Sequence, residues 1–378
     1  MQELTTFLQN DTAGFVYCLL LLAFGILLLV IGGDLLVTNG LNLAKLLNIK
    51  TFVVGLTIIA FSTSSPELAF NVFAASSGHG GITIGNIFGS NIANLALVLG
   101  IGALVHNSVR RNNENRQALQ DAPQSSQTLP EKIDPFVILE GYWLVGATIG
   151  ITLLTFAILQ WGNTEGHWLN FNRPTGIVLL LCFGIFLWWS LANKGKLKKN
   201  VDEKGTTEEG AILSLPKTIF MLLAGLLLLI LGGKSAEIGA VEGARWLNIS
   251  EMFIGVTIVA IATSLPEVVT TVIAAKKGEV GLIWGNILGS NIFNILFVLP
   301  ITILVASFVL PGGMVIPIAN VIEPMVYMFF MLLITVIVFW RMWKDNDITD
   351  AEGWTMVTLY ALFLIGITIW KTMFIAPV

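Results

Sequence analysis

Apolar runs long enough to cross a bilayer recur along most of this chain, separated by short polar breaks. At roughly 20 apolar residues per helical span, the pattern predicts ten spans, at 14–44, 51–75, 82–105, 135–159, 174–193, 216–243, 252–275, 282–309, 324–343 and 354–374. Each should be helical, because an open strand edge leaves its amides without partners in lipid. Two polar stretches interrupt the pattern, residues 107–132 and the charged run 194–210, and both read as solvated loops.

Composition agrees with the pattern. The 378 residues are 55% apolar and 12% charged, with a mean hydropathy of +0.82, which excludes an ordinary soluble domain. Cys18 and Cys182 both fall in apolar segments, so no disulfide framework is expected. The first residues carry Glu3 and Asp11 but no Lys or Arg, unlike the basic start of a cleaved signal. The first run therefore reads as a retained helix entered from outside. That orientation puts Arg173, Arg245 and Lys371 outside, Lys234 within the membrane and the other sixteen of the 20 basic residues inside. Such asymmetry follows the positive-inside rule and predicts a cell-membrane protein with both termini outside.

Polar residues inside the spans are duplicated at an offset of 200. Thr63, Ser64, Pro66 and Glu67 reappear as Thr263, Ser264, Pro266 and Glu267, and GNIFGSNIANL from Gly85 reappears as GNILGSNIFNI from Gly285. Gly25, Gly32 and Gly33 match Gly225, Gly232 and Gly233. Asp134-Pro135 and Glu323-Pro324 match at offset 189, each an acid and a proline suited to a helix start. Five spans per half is an odd number, so the second half enters from the opposite side. The expected fold is an all-α polytopic membrane protein: a five-helix repeat over 1–193, a cytoplasmic linker over 194–214, and a second, inverted five-helix repeat over 215–378.

A carboxylate at membrane depth is costly and marks a functional site. Thr63, Ser64 and Glu67 share one helix face at spacings of three and four. Pro66 and Pro266 have no amide hydrogen to give the carbonyls of Ser62 and Ala262, which frees two backbone oxygens beside the acids. Asn86, Ser90 and Asn94 form a second polar stripe, repeated by Asn286, Ser290 and Asn294. Carboxylate, hydroxyl, amide and backbone oxygens suit Ca²⁺, which takes about six to eight of them, and they suit Na⁺ equally. Neither stripe contains His or Cys, which argues against zinc, copper or nickel. Two glutamates can neutralise one Ca²⁺ or two Na⁺ in the same place, so the ions would compete.

At these residues the chain resembles the calcium/cation antiporter superfamily, sodium/calcium exchanger type, over essentially its whole length. The resemblance implies ten helices with spans two, three, seven and eight around the ions, and spans one and six sliding as a gate. It implies Glu67 and Glu267 on Ca²⁺ and on shared Na⁺ sites. Ser64 and Ser264, with Thr63, Thr263 and Ser90 or Ser290, would complete the sodium shells, with Asn94 beside the centre. It also implies inward-turned carbonyls at Ala60 and Ala260 rather than at Ser62 and Ala262. One position departs, for many relatives of this type carry Asp where this chain has Asn294. The ions Ca²⁺ and Na⁺ are then the transported substrates, the bilayer is the surroundings, no further cofactor or nucleic acid is expected, and one chain is the working unit.

Alternatives remain open at this point. Ca²⁺/H⁺ exchange would use similar oxygens, although the proton-coupled branch carries a different motif ahead of its glutamate, and a channel could line a pore with them. An intramembrane protease is disfavoured, because Gly32-Gly33-Asp34 lacks the first glycine of GxGD and Asp34 is matched by Lys234, and no HExxH is present. Asp34 and Lys234 read as structural or gating residues. His79, His106 and His167 read as solvated.

Overall fold

In the computed structural model, residues 12–78, 80–119, 135–161, 168–192, 213–246, 259–310, 314–317, 322–344 and 349–374 are described. They form ten helical elements in the predicted order, seven of them long and apolar enough to cross a membrane and an eighth when the bent pair is taken as one span. These are α1 (Thr12–Leu47), α2 broken into α2a (Thr51–Thr63) and α2b (Ser65–Ser76), α3 (starting Gly80–Ala93), α4 (Pro135–Trp161) and α5 (Arg173–Ala192). The second half has α6 (Leu215–Trp246), α7a (Ala260–Thr263) with α7b (Leu265–Lys276), α8 (starting Val280–Phe293), α9 (Ile322–Lys344) and α10 (Asp350–Phe374). The start of span seven and the 194–210 run lie outside the described residues, as do His79 and His167.

One expectation needs correction. The 107–132 stretch is not a loop throughout, because α3 continues as Leu99–Leu119. Hydropathy falls there, but Arg110, Arg111, Glu114, Arg116 and Gln117 are good helix formers, and an ion pair from Arg111 to Asp350 ties the extension to the start of α10. A short ribbon accompanies the helices without changing the all-α class. Strands β1 (Trp168–Phe171) and β2 (Met314–Pro317) pair antiparallel, Trp168 facing Pro317 and Phe171 facing Met314. They join the connection before α5 to the connection after α8, and Phe171 and Met314 are both fully buried. Arg173 reinforces the same junction: it donates to the Ser307 carbonyl at 2.8 Å and stacks 4.5 Å over Phe308.

Packing separates the molecule into two bodies. A large core draws on both halves, from Phe52, Ile87 and Phe88 to Ile287, Ile303, Met331 and Ile367. A smaller cluster belongs mainly to the α1–α6 pair: Leu29, Leu36 and Leu43 on α1 and Leu222, Leu229 and Ala236 on α6. The seven-residue spacing in both helices is a coiled-coil seam. In lipid such a seam holds by close contact rather than by water exclusion, and here contact extends to the backbone. A Cβ on Gly25 would lie 2.4 Å from the Ala236 nitrogen, and one on Gly232 would lie 2.8 Å from the Gly25 oxygen. The outer face of the pair, including Leu20, Phe24, Leu27, Leu223 and Leu227, is exposed and apolar, as a lipid-facing surface should be.

The pair sits off-centre. Gly33 of α1 packs on Val269, Thr270 and Ile273 of α7b, so strict two-fold symmetry would set Gly233 of α6 against Ala69, Phe70 and Phe73. It meets Pro66 instead. Phe73 is consequently 66% exposed while its counterpart Ile273 is partly covered. The displacement is about three residues, roughly 4–5 Å of helix rise. Asp34 and Lys234, expected at membrane depth, are both exposed. Asp34 accepts a hydrogen bond from Lys277, at the end of α7b, at 2.9 Å.

Candidate functional site

The two helix breaks are nearly superimposable in backbone. Ser64 has φ −83° and ψ 1°, and Ser264 has φ −84° and ψ 1°, both in the sparsely populated bridge region. Each break is local sequence chemistry. Proline cannot sit in a helix interior, but it fits the first turn, where its missing amide hydrogen would have no partner anyway. Helices α2b and α7b therefore restart at Ser65 and Leu265, with Glu67 and Glu267 in their first turns. Both acids lie at the positive end of a half-helix dipole, which favours negative charge there.

Around the breaks the polar groups of both halves converge. Ser64 Oγ donates to Glu267 Oε1 at 3.3 Å. Thr63 Oγ1 lies 3.2 Å from the Ala60 carbonyl, 3.2 Å from Asn286 Oδ1 and 3.2 Å from Ser290 Oγ. Thr263 Oγ1 approaches the Ala260 carbonyl at 3.3 Å and Asn86 Oδ1 at 3.2 Å. Asn294 Nδ2 donates to Ser90 Oγ at 3.2 Å and to Asn91 Oδ1 at 3.1 Å. Every expected ligand residue is buried: Glu67, Glu267, Thr63, Ser64, Thr263, Ser264, Ser90, Asn94, Ser290, Asn294, Ala60 and Ala260 are each at most 2% exposed. The cluster lies between helices whose outer faces meet lipid, and its closest polar partners come from opposite halves.

Several polar atoms in this cluster have no hydrogen-bond partner: Ser264 Oγ, both amide atoms of Asn94, Asn294 Oδ1 and Glu267 Oε2. Buried polar atoms without a partner are costly, and four of these five are oxygens. Among the described residues no group of three or more His, Cys, Asp or Glu forms a metal cluster, so the donor set is one of hydroxyls, amides, carbonyls and two carboxylates. That set matches hard cations.

The helices around the cluster also carry π-helical turns, Gly55–Ile59 in α2a, Asn94–Val98 in α3 and Asn294–Val298 in α8. Such one-turn bulges concentrate at functional sites. In α3 and α8 the bulge begins at Asn94 and Asn294, the last residue of each polar stripe. Close approach of α8 to α2a completes the wall, since a Cβ on Gly285 would meet the Phe52 oxygen at 2.4 Å and one on Gly289 the Leu56 oxygen at 2.6 Å.

Sequence reasoning missed part of the network. Asn71 bridges the Glu67 carbonyl and Asn86, while Thr270 and Thr271 hold Asn286. Asn91 receives Asn294 and reaches the Asn291 carbonyl at 3.4 Å. The available signal was position: Asn71 and Thr271 each stand four residues after a glutamate, on the same helix face. On the freed carbonyls, the Ala60 and Ala260 oxygens are the ones beside the threonine hydroxyls, though each also accepts the amide of Ser64 or Ser264, at 3.0 and 3.2 Å.

A sequence model of the sodium/calcium exchanger protein family matches residues 17–192 and again 217–369, so both halves fit the same family. A putative antiporter, CaxA of Alkalimonas amylolytica, is 33% identical over 76% of this chain and 81% of its own length. The sodium/calcium exchanger MaX1 of Methanosarcina acetivorans is 28% identical over 74% of this chain and 81% of its own. A solved structure of the sodium-calcium exchanger NCX_Mj superposes with a TM-score of 0.68 at 26% identity, covering 93% of this chain and 98% of the other. With both halves matched, an inverted ten-helix fold and a buried oxygen-rich cluster between them, the chain belongs to the sodium/calcium exchanger family and is a membrane cation antiporter, a secondary transporter and not an enzyme.

Proposed function

We propose that the chain exchanges Na⁺ for Ca²⁺ by alternating access at the buried cluster. Glu67 and Glu267 supply the charge, while Thr63, Ser64, Thr263, Ser264, Ser90, Ser290, Asn94, Asn294 and the carbonyls of Ala60 and Ala260 supply neutral oxygens. The observation that carries this reading is the 3.3 Å contact of Ser64 with Glu267, which joins the broken helix of one half to the acid of the other. Two carboxylates balance the charge of either one Ca²⁺ or two Na⁺, and that equivalence makes exchange possible.

The working unit is one chain in the cell membrane, with both termini outside, organised as 1–193 and 215–378 about the 194–214 linker. Sodium is the coupling ion, on the strength of the TS-x-PE segments and the named exchangers among the relatives. In proteoliposomes, Ca²⁺ uptake should require an opposing Na⁺ gradient, and Glu67→Gln or Glu267→Gln should abolish it. Uptake that ignores Na⁺ and follows a pH gradient would make the chain a Ca²⁺/H⁺ antiporter instead. Uncoupled ohmic current would make it a channel.

A further inference from the structure

We propose that Asn71 in the first half, and Thr270 with Thr271 in the second, are positioning residues. They hold Asn86 and Asn286 with their amide oxygens, not their nitrogens, toward Thr263 and Thr63, so that neither hydroxyl receives a hydrogen from its asparagine and each keeps lone pairs for the transported cation. The proposal rests on the cation-site reading above and adds to it residues outside the expected ligand set.

Polarity can be followed from a group that has no choice. The Glu67 carbonyl can only accept, so the 2.8 Å bond to it must come from Asn71 Nδ2. That sets the Asn71 amide, leaving its Oδ1 toward Asn86 at 3.3 Å. Asn86 must then donate through Nδ2, which turns its own Oδ1 toward Thr263, 3.2 Å away. Thr263 has one hydrogen and two acceptors for it, Asn86 Oδ1 and the Ala260 carbonyl. With either choice, no donor points at the hydroxyl oxygen from this side, and its lone pairs remain for a cation.

The second half reaches the same polarity with different residues. Thr270 Oγ1 donates to the Pro266 carbonyl at 2.8 Å, with the Glu267 carbonyl at 3.2 Å. Its oxygen, and that of Thr271, accept from Asn286 Nδ2 at 3.1 and 3.2 Å. Asn286 Oδ1 therefore faces Thr63. Position 71 is the equivalent of 271, so one half uses an amide where the other uses hydroxyls, and in both an asparagine turns its Oδ1 to a threonine; at Thr63 the Ser290 hydroxyl, 3.2 Å away and able to donate or accept, is a further neighbour. Asn71, Asn86, Thr270, Thr271 and Asn286 are all at most 2% exposed, so water does not compete for these bonds. The connection is crosswise: each half orients the threonine of the other.

The test compares Asn71→Thr with Asn71→Val, side chains of one shape that differ by a hydroxyl. A threonine at 71 can donate to the Glu67 carbonyl and accept from Asn86, as Thr270 does for its half, whereas valine can do neither. Na⁺-driven Ca²⁺ uptake in proteoliposomes and Ca²⁺ titration of the purified full chain should give native half-saturation for Asn71→Thr within about threefold, and half-saturation raised about tenfold for Asn71→Val. The double variant Thr270→Val/Thr271→Val should behave like Asn71→Val, and it decides the matter if Asn71→Val does not fold. A purely structural role would lower the melting temperature of the valine variants and leave half-saturation unchanged, which would overturn the proposal. So would equal half-saturation for Asn71→Thr and Asn71→Val. A native chain that neither binds nor moves Ca²⁺ would instead remove the cation-site reading, and this proposal with it.

Discussion

Asn294 shows how a single amide can stand where an acid is common. Its nitrogen donates to two oxygens at once, Ser90 Oγ and Asn91 Oδ1. A protonated Asp could serve one of them, and an ionised Asp neither. Asn294→Asp should therefore raise the Ca²⁺ half-saturation about tenfold, since at least one of the two oxygens loses its donor. Ca²⁺ uptake by native and variant proteoliposomes at one fixed pH checks this; an unchanged half-saturation would mean that the two bonds do not shape the site. The duplicated acids were legible in the sequence because an intramembrane carboxylate stands out on cost alone. Asn71, Thr270 and Thr271 were not, because an Asn or Thr in a transmembrane helix reads as ordinary interhelical glue, and their function is visible only from the groups they face.

At the scale of elements, close contact between α1 and α6 depends on particular glycines. A Cβ at Gly239 would lie 2.5 Å from the Cys18 oxygen, and one at Gly25 2.4 Å from the Ala236 nitrogen, so the two helices must part to admit it. Gly25→Ala and Gly239→Ala should each cost about 1–3 kcal/mol of stability by overpacking and slow transport. Gly146→Ala and Gly366→Ala, with no atom within 4 Å, should be neutral in both respects. Thermal melting in detergent and flux assays separate the two groups. Span positions were legible because each element must match the thickness of lipid, which sets both length and composition. The α3 extension to Leu119 was not, for its helix is held by Arg111 reaching Asp350 far along the chain, and hydropathy is blind to that. Nor were β1 and β2, four residues each, whose pairing depends on where the helices deliver their ends.

The molecule as a whole is a symmetric design caught in an asymmetric pose. The α1–α6 pair lies about one turn off the position that symmetry would give it, and Lys277 binds Asp34 only in the half where the pair has moved up against α7b. The equivalent positions are Ser77 and Lys234, which cannot form the same ion pair at the other end. Lys277→Gln should therefore shift the balance between outward and inward access. The pair is largely exposed, so the shift is at most about fivefold and shrinks in high salt. Labelling of a single cysteine placed on α1, from either side of the membrane, would measure it; unchanged labelling would mean that the contact carries no bias. The ribbon of β1 and β2 sets a different limit. Because it staples a segment of one half to a segment of the other, and the large core is shared between both, the ribbon holds the halves against opening like a clam about the ions. The expected opening motion is then the α1–α6 pair, with its separate cluster, travelling along a fixed block in the manner of a bolt in its housing.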